Sequence, residues 1–303
     1  MTPSSLGYIG LGAMGGPMAH NLVAAGYEVH VLDTDERRVT PLVERGAIAA
    51  GSAAELAASC DVVFTSLPGH RQVEAVYLHQ DGLIAGARSG VTLVDMSTVP
   101  PGLAREVADR AAERGADFLD APVARTRAAA IDGTLAIMVG GAPEAFERIL
   151  PVLRVMGTSV QHIGDVGAGQ VAKLVNNVML MANVVTAAEA LAVGARAGVS
   201  AERLVEVLVE GSADSFALRN HVAKSVVPAS FPEGQFSLDY ALKDLGYFFD
   251  LSKQLGALCV QLGATDNLYR AAKSSGCAAE YFPVVARLID RLGGNGLYGN
   301  QDE

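Results

Sequence analysis

Hydrophobic residues follow two rhythms along this chain, and the change between them near residue 165 divides it. Through the first half, short segments centred on apolar residues alternate with amphipathic stretches. The segments at 6–11, 28–32, 61–66, 92–95, 117–120, 135–139 and 159–163 predict strands, and the stretches at 15–25, 36–45, 72–77, 102–114 and 143–154 predict helices. Apolar residues at successive positions, as in Val62-Val63-Phe64 and Leu93-Val94, suit strands covered on both faces, the condition of a parallel sheet flanked by its own crossover helices. After Gly164 the pattern is helical throughout, nearly unbroken from 167 to 197 and then around 201–210, 214–226, 237–256, 262–275 and 279–293. The expected fold is therefore α/β, with a doubly wound parallel sheet domain over residues 1–164 and an all-α domain over 165–303. The glycine-rich polar end, Gly293 to Glu303, reads as frayed.

Composition narrows the partners. A formal charge of -10 and a pI near 5.1 argue against nucleic acid or an anionic membrane surface, both of which need a basic face. The most apolar stretch, Val178 to Val199, contains Asn183, Glu189 and Arg196, which argues against a membrane span. Cys60, Cys259 and Cys277 are far apart and form no CxxC pair, so a reducing, cytoplasmic setting is expected and a zinc site is not. The six histidines show no metal-ligand spacing, and no metal is expected.

Residues 10–15, Gly-Leu-Gly-Ala-Met-Gly, form GxGxxG between a predicted strand and a predicted helix. In that setting Gly10 makes the tight turn, Gly12 admits a pyrophosphate to the backbone, and Gly15 lets helix pack on strand. The helix N-terminus adds free N–H donors and the positive end of its dipole. Asp33 ends the second predicted strand, where an acid hydrogen-bonds the adenosine ribose, so NAD (NADH) is expected in preference to NADP. Arg37 and Arg38 are the counter-evidence: either could meet a 2′-phosphate, or both could simply be solvated. Lys173 and Asn177 lie four residues apart on one face of the long predicted helix. Among Val171, Ala172, Leu174, Val175 and Val178 this polar pair is either a helix edge or functional. Lys173 can give the proton a reduced carbonyl needs, and Asn177 can hold the hydroxyl.

Together these segments resemble the β-hydroxyacid dehydrogenases, the family of 3-hydroxyisobutyrate dehydrogenase and tartronate semialdehyde reductase. The signatures are Gly10 to Met18, Asp-Met-Ser-Thr at 95–98, Asp-Ala-Pro-Val at 120–123, Gly-Thr-Leu at 133–135, Gly169 to Asn177 and Leu-Lys-Asp-Leu at 242–245. The resemblance implies a Rossmann domain and a helical domain joined by a long helix, with dimers or tetramers common. It makes Lys173 the catalytic acid/base and Asn177, with Asn176, the substrate-positioning amides. The cofactor set it implies is Gly10, Leu11, Gly12, Met14, Gly15, Asp33, Leu67, Pro68, Thr98 and Lys243, with Ser97 at the substrate. The expected substrate is a small anionic hydroxy-aldehyde or hydroxy acid. One departure stands out: where most members carry Ser-Gly-Gly after Asp-x-Pro-Val, this chain has Ala124, Arg125 and Thr126. That version resembles the 3-sulfolactaldehyde reductases of sulfoglycolysis. A guanidinium and a hydroxyl can meet the three oxygens of a sulfonate, each charge-assisted bond contributing about 1.5 to 3 kcal/mol. The alternative is that Arg125 faces solvent and the substrate is a carboxylate. A rival of another class is a dinucleotide-binding regulator without turnover, against which Lys173 argues.

Overall fold

The alternating apolar runs of the first half become one nine-stranded sheet in the computed structural model, which describes residues 3–294 and 296–298. β1 (Ser5–Ile9), β2 (Glu28–Leu32), β3 (Ile48–Ala49), β4 (Val62–Thr65), β5 (Thr92–Asp95) and β6 (Asp117–Asp120) run parallel in the order β3-β2-β1-β4-β5-β6. β7 (Val123–Ala124) and β8 (Leu135–Gly140) pair antiparallel, β8 meets β6 antiparallel at Gly140 and Asp120, and β9 (Gly157–Gly164) runs parallel to β8. The sheet is thus parallel through six strands and mixed at one edge. Periodicity reports burial and not direction, so this edge was invisible in the apolar pattern.

Successive strand side chains point to opposite faces, and both faces are apolar. Leu6, Tyr8, Val62, Phe64 and Val94 form one core with Met18 and Leu22 of α1 (Gly15–Ala24); Val63, Leu93 and Phe118 form the other with Leu56, Tyr77 and Val107. The remaining helices here are α2 (Glu36–Val43), α3 (Ala53–Ser59), α4 (His70–Leu78), α5 (Leu83–Gly86), α6 (Pro101–Ala112), α7 (Arg127–Ile131) and α8 (Pro143–Met156). β3, β7, α3, α5 and α7 are too short to carry a period, and they were not expected. For α3 a local signal existed: Ser52 Oγ accepts from Glu55 N at its start, and Glu55 accepts from Gly51 N.

α9 (Ala168–Arg196) begins in this first compact unit, which ends at Lys173; a second runs from Leu174. The expected boundary was 164/165. The contacts divide the chain inside the helix because its first turn is anchored to β6, where the Asp120 carboxylate accepts from Gly167 N and Gln170 N. The second unit continues with α10 (Ala201–Leu208), a π-helix (Leu218–Val226), α11 (Leu238–Leu255), α12 (Val260–Ser274), a 3-10 turn (Phe282–Val284) and α13 (Val285–Leu292). α9 is long and apolar enough to cross a membrane by length and composition. Its Val178, Met181, Val184, Val185, Ala188 and Leu191 nevertheless pack with Leu218, Leu245, Tyr269 and Phe282 as the core of the second unit.

The end of the chain corrects an expectation. Residues 296–298 are not frayed: Asp290 accepts from Leu297 N (2.7 Å) and Tyr298 N (3.2 Å), and Tyr298 donates its hydroxyl to Val226 O (2.8 Å). Residues 295 and 299–303 of the segment read as frayed lie outside the described residues.

Candidate functional site

β1 and β4 are neighbours at the point where strand order reverses, the crevice in which open α/β sheets bind ligands. The glycine loop follows β1 there. Gly10 has φ +89°, and a Cβ on it would stand 2.4 Å from Ser66 O; a Cβ on Gly15 would stand 1.9 Å from Gly10 O. Those two positions require glycine for turn and packing. At Gly12 the nearest atom to a Cβ would be Arg38 Nη1 at 3.9 Å, so the backbone is open to a ligand. α1 starts with no side-chain cap and no acidic residue in its first turn, which leaves its N–H donors to an anion. This cradle fits the diphosphate of a dinucleotide.

Asp33 is nearly buried, and each carboxylate oxygen is engaged by the loops: Oδ2 accepts from Leu11 N at 2.6 Å and Oδ1 from Asp35 N at 2.9 Å. It braces the glycine loop and keeps further lone pairs for ribose hydroxyls. The two arginines differ. Arg37 is exposed and holds Asp35 through Nε (2.9 Å) and Nη2 (3.0 Å), which also lowers the Asp35 pKa. Arg38 stands 3.6 Å from Asp33 Oδ2 and 3.7 Å from Asp35 Oδ2, beside Gly12.

Beneath the crevice lies a buried polar network. Thr65 Oγ1 donates to Asp95 Oδ1 (2.8 Å) and meets Tyr77 OH (2.9 Å), and Ser97 N donates to the same carboxylate oxygen (3.0 Å). Burial pushes the Asp95 pKa up to about 6, opposed by hydrogen bonds from Ser97 and Thr65 and reinforced by the charge of Asp120. Ser97 was expected at the substrate. It is 3% exposed and its Oγ accepts from Leu67 N (2.9 Å), so its hydroxyl ties the loop after β5 to the loop after β4. Leu67 and Thr98 are half-buried on these loops, and Pro68 is exposed.

α9 carries the proposed chemistry. Lys173 is half-buried and ends the first unit. In the second unit, Asn177 is 3% exposed and its amide is held at both ends: Nδ2 donates to Asp244 Oδ2 (2.6 Å), and Oδ1 accepts from Asn176 Nδ2 (3.0 Å). Lys243 Nζ lies 3.3 Å from Asp244 Oδ1, and 5.3 and 5.5 Å from the ring centroids of Tyr240 and Tyr247. Asn177 and Lys243 therefore meet at one buried carboxylate, Asp244, with Asn176 bonded to Asn177.

The rewritten loop follows β7. Ala124 is buried and pairs with Ala136. Thr126 Oγ1 caps α7 by accepting from Ala129 N (3.3 Å), which leaves its hydroxyl proton to donate elsewhere. Arg125 is exposed, has φ +86°, and donates through Nη1 to Thr134 O and Thr158 Oγ1. The guanidinium expected at a substrate anion is thus partly engaged by its own sheet edge.

Asp95, Asp120 and Gln170 had no role assigned beforehand. A signal for two of them was present, since Asp95 and Asp120 each end a predicted strand at the side where such sheets bind ligands.

A dinucleotide cradle in the unit that ends at Lys173 fits an oxidoreductase, and comparison with known proteins gives the class and the family. The NAD binding domain of 6-phosphogluconate dehydrogenase matches residues 5–164, and the family described as NAD-binding of NADP-dependent 3-hydroxyisobutyrate dehydrogenase matches residues 167–289. The chain is 36% identical to 2-(hydroxymethyl)glutarate dehydrogenase of Eubacterium barkeri over 98% of each. It is 39% identical to NAD-dependent L-serine dehydrogenase of Pseudomonas aeruginosa over 94% of this chain and 97% of that one. The solved structure of Mycobacterium tuberculosis 3-hydroxyisobutyrate dehydrogenase with L-serine is similar at TM-score 0.85 and 32% identity, covering 95% of this chain and 99% of the other. The chain belongs to the 3-hydroxyisobutyrate dehydrogenase-like family of β-hydroxyacid dehydrogenases.

Proposed function

We propose that this enzyme interconverts a short β-hydroxy acid and its semialdehyde, with NAD(H) preferred over NADP(H). The observation that carries the reading is the pairing, on the first unit, of an uncapped glycine-loop cradle braced by Asp33 with a buried helical turn that leads to Lys173. A bound nicotinamide dinucleotide supplies or accepts the hydride. In the reductive direction the Lys173 ammonium donates its proton to the carbonyl oxygen as charge develops there, and in the oxidative direction the amine takes the hydroxyl proton. Asn177, with its amide orientation fixed by Asp244 and Asn176, holds the substrate hydroxyl, with Asn176 beside it; Leu67, Pro68, Thr98 and Lys243 are assigned to the cofactor.

The substrate class is supported by the relatives' names. 2-(Hydroxymethyl)glutarate, L-serine and 3-hydroxyisobutyrate each carry a primary alcohol on the carbon β to a carboxylate. A sulfonate, as in 3-sulfolactaldehyde and 2,3-dihydroxypropane-1-sulfonate, is the second reading. One observation favours it: a non-glycine residue at φ +86° costs about 1 kcal/mol or more, and such strain marks functional loops. In that reading the remaining N–H groups of Arg125 and the Thr126 hydroxyl hold the sulfonate. We further propose a homodimer or homotetramer acting in the cytoplasm, the latter supported by three free cysteines.

A substrate panel tests the function. It sets L-serine, 3-hydroxyisobutyrate and 2-(hydroxymethyl)glutarate against dihydroxypropanesulfonate, each with NAD+ and NADP+. Lys173→Ala is expected to lower kcat by about 100-fold or more while NADH still binds, and Arg125→Gly to raise KM for the best anionic substrate by about tenfold. Near-normal turnover of Lys173→Ala would remove Lys173 from the mechanism. NADH binding with no turnover of any panel member would favour the regulator.

A further inference from the structure

Gln170 is the most completely buried side-chain amide near the proposed site, with 0% exposure in the first turn of α9. Its Nε2 donates to Ser97 O at 2.9 Å, and its Oε1 accepts from Val99 N at 3.0 Å. One amide thereby brackets Thr98, the residue assigned to the nicotinamide side. The backbone of the same turn is held from the other direction. Asp120, fully buried at the end of β6, accepts from Gly167 N (2.7 Å) through Oδ1 and from Gln170 N (2.8 Å) through Oδ2.

The seat is tight. A Cβ on Gly169 would stand 2.4 Å from Met138 O and 2.8 Å from Asp120 Oδ2, and one on Gly140 would stand 2.5 Å from Asp120 Oδ1. The turn therefore rests directly on the ends of β6 and β8, with two buried hydrogen bonds to Asp120 and two to the loop after β5. Unmade, these bonds would leave polar groups buried without partners, so the turn cannot shift without losing them. Lys173 follows Gln170 by three residues on the same helix, about 4.5 Å along the axis and on an adjoining face. A helix slipped by one residue would rotate Lys173 by about 100°.

We propose that Gln170, seated by Asp120, is a positioning residue that holds Lys173 in register with the Ser97–Val99 segment, so that proton and hydride reach the same carbonyl group. The inference rests on the reading of Lys173 as the acid/base. Gln170 itself touches no reacting atom; it sets where the helix stands relative to the loop that borders the nicotinamide.

Substituting Gln170→Glu makes this testable through pH. The ionised carboxylate keeps the acceptor for Val99 N but sets an acceptor against Ser97 O. When protonated it donates to Ser97 O and restores both bonds. Burial, with Asp95 on β5 and Asp120 on β6, raises the pKa of such a group, while Arg105 on α6 and Lys173 on α9 oppose the rise. Gln170→Met fills the same volume with neither bond at any pH.

Both variants, the wild type and Lys173→Ala are compared from pH 6 to 9, at a temperature where circular dichroism shows each folded. NADH affinity is read from its fluorescence, and the primary deuterium isotope effect from deuterated cofactor. At pH 8.5 both Gln170 variants are expected to lose about 100-fold in kcat, the scale of a 1 Å misplacement, with a larger isotope effect and NADH affinity within about threefold of wild type. Relative to wild type, Gln170→Glu is expected to recover about tenfold or more by pH 6, and Gln170→Met not at all. The proposal fails if both variants stay within threefold of wild-type kcat, if no pH-dependent recovery appears in Gln170→Glu, or if NADH affinity falls in step with kcat. Normal turnover in Lys173→Ala would overturn the acid/base reading and this inference with it. A dead Lys173→Ala beside normal Gln170 variants would overturn the inference alone.

Discussion

Arg38 sits against two carboxylates, Asp33 at 3.6 Å and Asp35 at 3.7 Å, beside the open backbone of Gly12. Half its side chain is exposed, so its attraction to either acid is screened and it can turn to a stronger anion at little cost. A 2′-phosphate would be such an anion, arriving next to the carboxylate that otherwise repels it. Removing Arg38 leaves Asp33 unopposed, while Asp35 stays paired with Arg37. Arg38→Ala is therefore expected to lower kcat/KM for NADP+ by about tenfold while that for NAD+ changes by less than about twofold, measured with one saturating substrate. An unchanged ratio would mean that Arg38 does not meet the 2′ position. At this scale the sequence pattern was informative where backbone geometry demands a residue type, as at Gly10, Gly15 and Asp33. It marked Asp95 and Asp120 only by their place at strand ends and was silent on Gln170 and Asp244, because a buried polar side chain is defined by its partners. Those partners lie up to 73 residues away, as Ser97 does from Gln170.

Among the elements, α9 shows how packing overrides intrinsic preference. A glycine in a helix costs about 1 kcal/mol relative to alanine, so replacing one should stabilise where space allows. At Gly263 in α12 nothing beyond its own helical backbone lies within 4 Å of an added Cβ, whereas at Gly169 in α9 the carbonyl of Met138 would stand at 2.4 Å. Gly263→Ala is expected to raise stability by about 0.5 to 1 kcal/mol. Gly169→Ala is expected to lower it by about 1 to 3 kcal/mol despite the same gain in propensity, because backbone must move. Urea denaturation of the two variants checks the opposite signs, and stabilisation at both positions would show that α9 is not seated so closely. The same contrast explains what could be read of the fold. The short apolar segments at β1, β4 and β5 and the helical period of α9 were legible since burial imposes them directly. The antiparallel edge of β7 and β8, and the short α7, depend on Val123, Ala124 and Arg125 meeting residues 134 to 137 across a turn, which no local period records.

For the whole molecule, two buried groups, one in each unit, contribute to stability with opposite dependence on acid. In the first unit, burial raises Asp95 from an ordinary 3.8 to about 6, so the folded state holds its proton more tightly than the unfolded chain. The stability this contributes is fully present below pH 4 and is lost as pH rises through about 6. In the second unit His221 is buried in the π-helix, its Nδ1 2.6 Å from Tyr281 OH, and burial together with the Lys224 charge lowers it from 6.5 to about 4. Its contribution is present above pH 6.5 and is lost as pH falls through about 4. Each shift of about 2 pH units corresponds to at most about 3 kcal/mol. Asp95→Asn and His221→Gln remove one titration each while keeping a hydrogen-bonding side chain in place. Thermal melts of the three proteins at pH 4.5 and pH 7.5 separate the terms. Relative to wild type, His221→Gln is expected to lose less stability on acidification, because no buried imidazole must take a proton. Asp95→Asn is expected to lose more, because the gain from protonating Asp95 is gone. Identical pH dependence in all three would mean that neither group titrates differently in the folded and unfolded chain. The signs also separate burial from charge: if pairing rather than desolvation governed Asp95, its pKa would lie below 3.8, and Asp95→Asn would lose less on acidification than wild type.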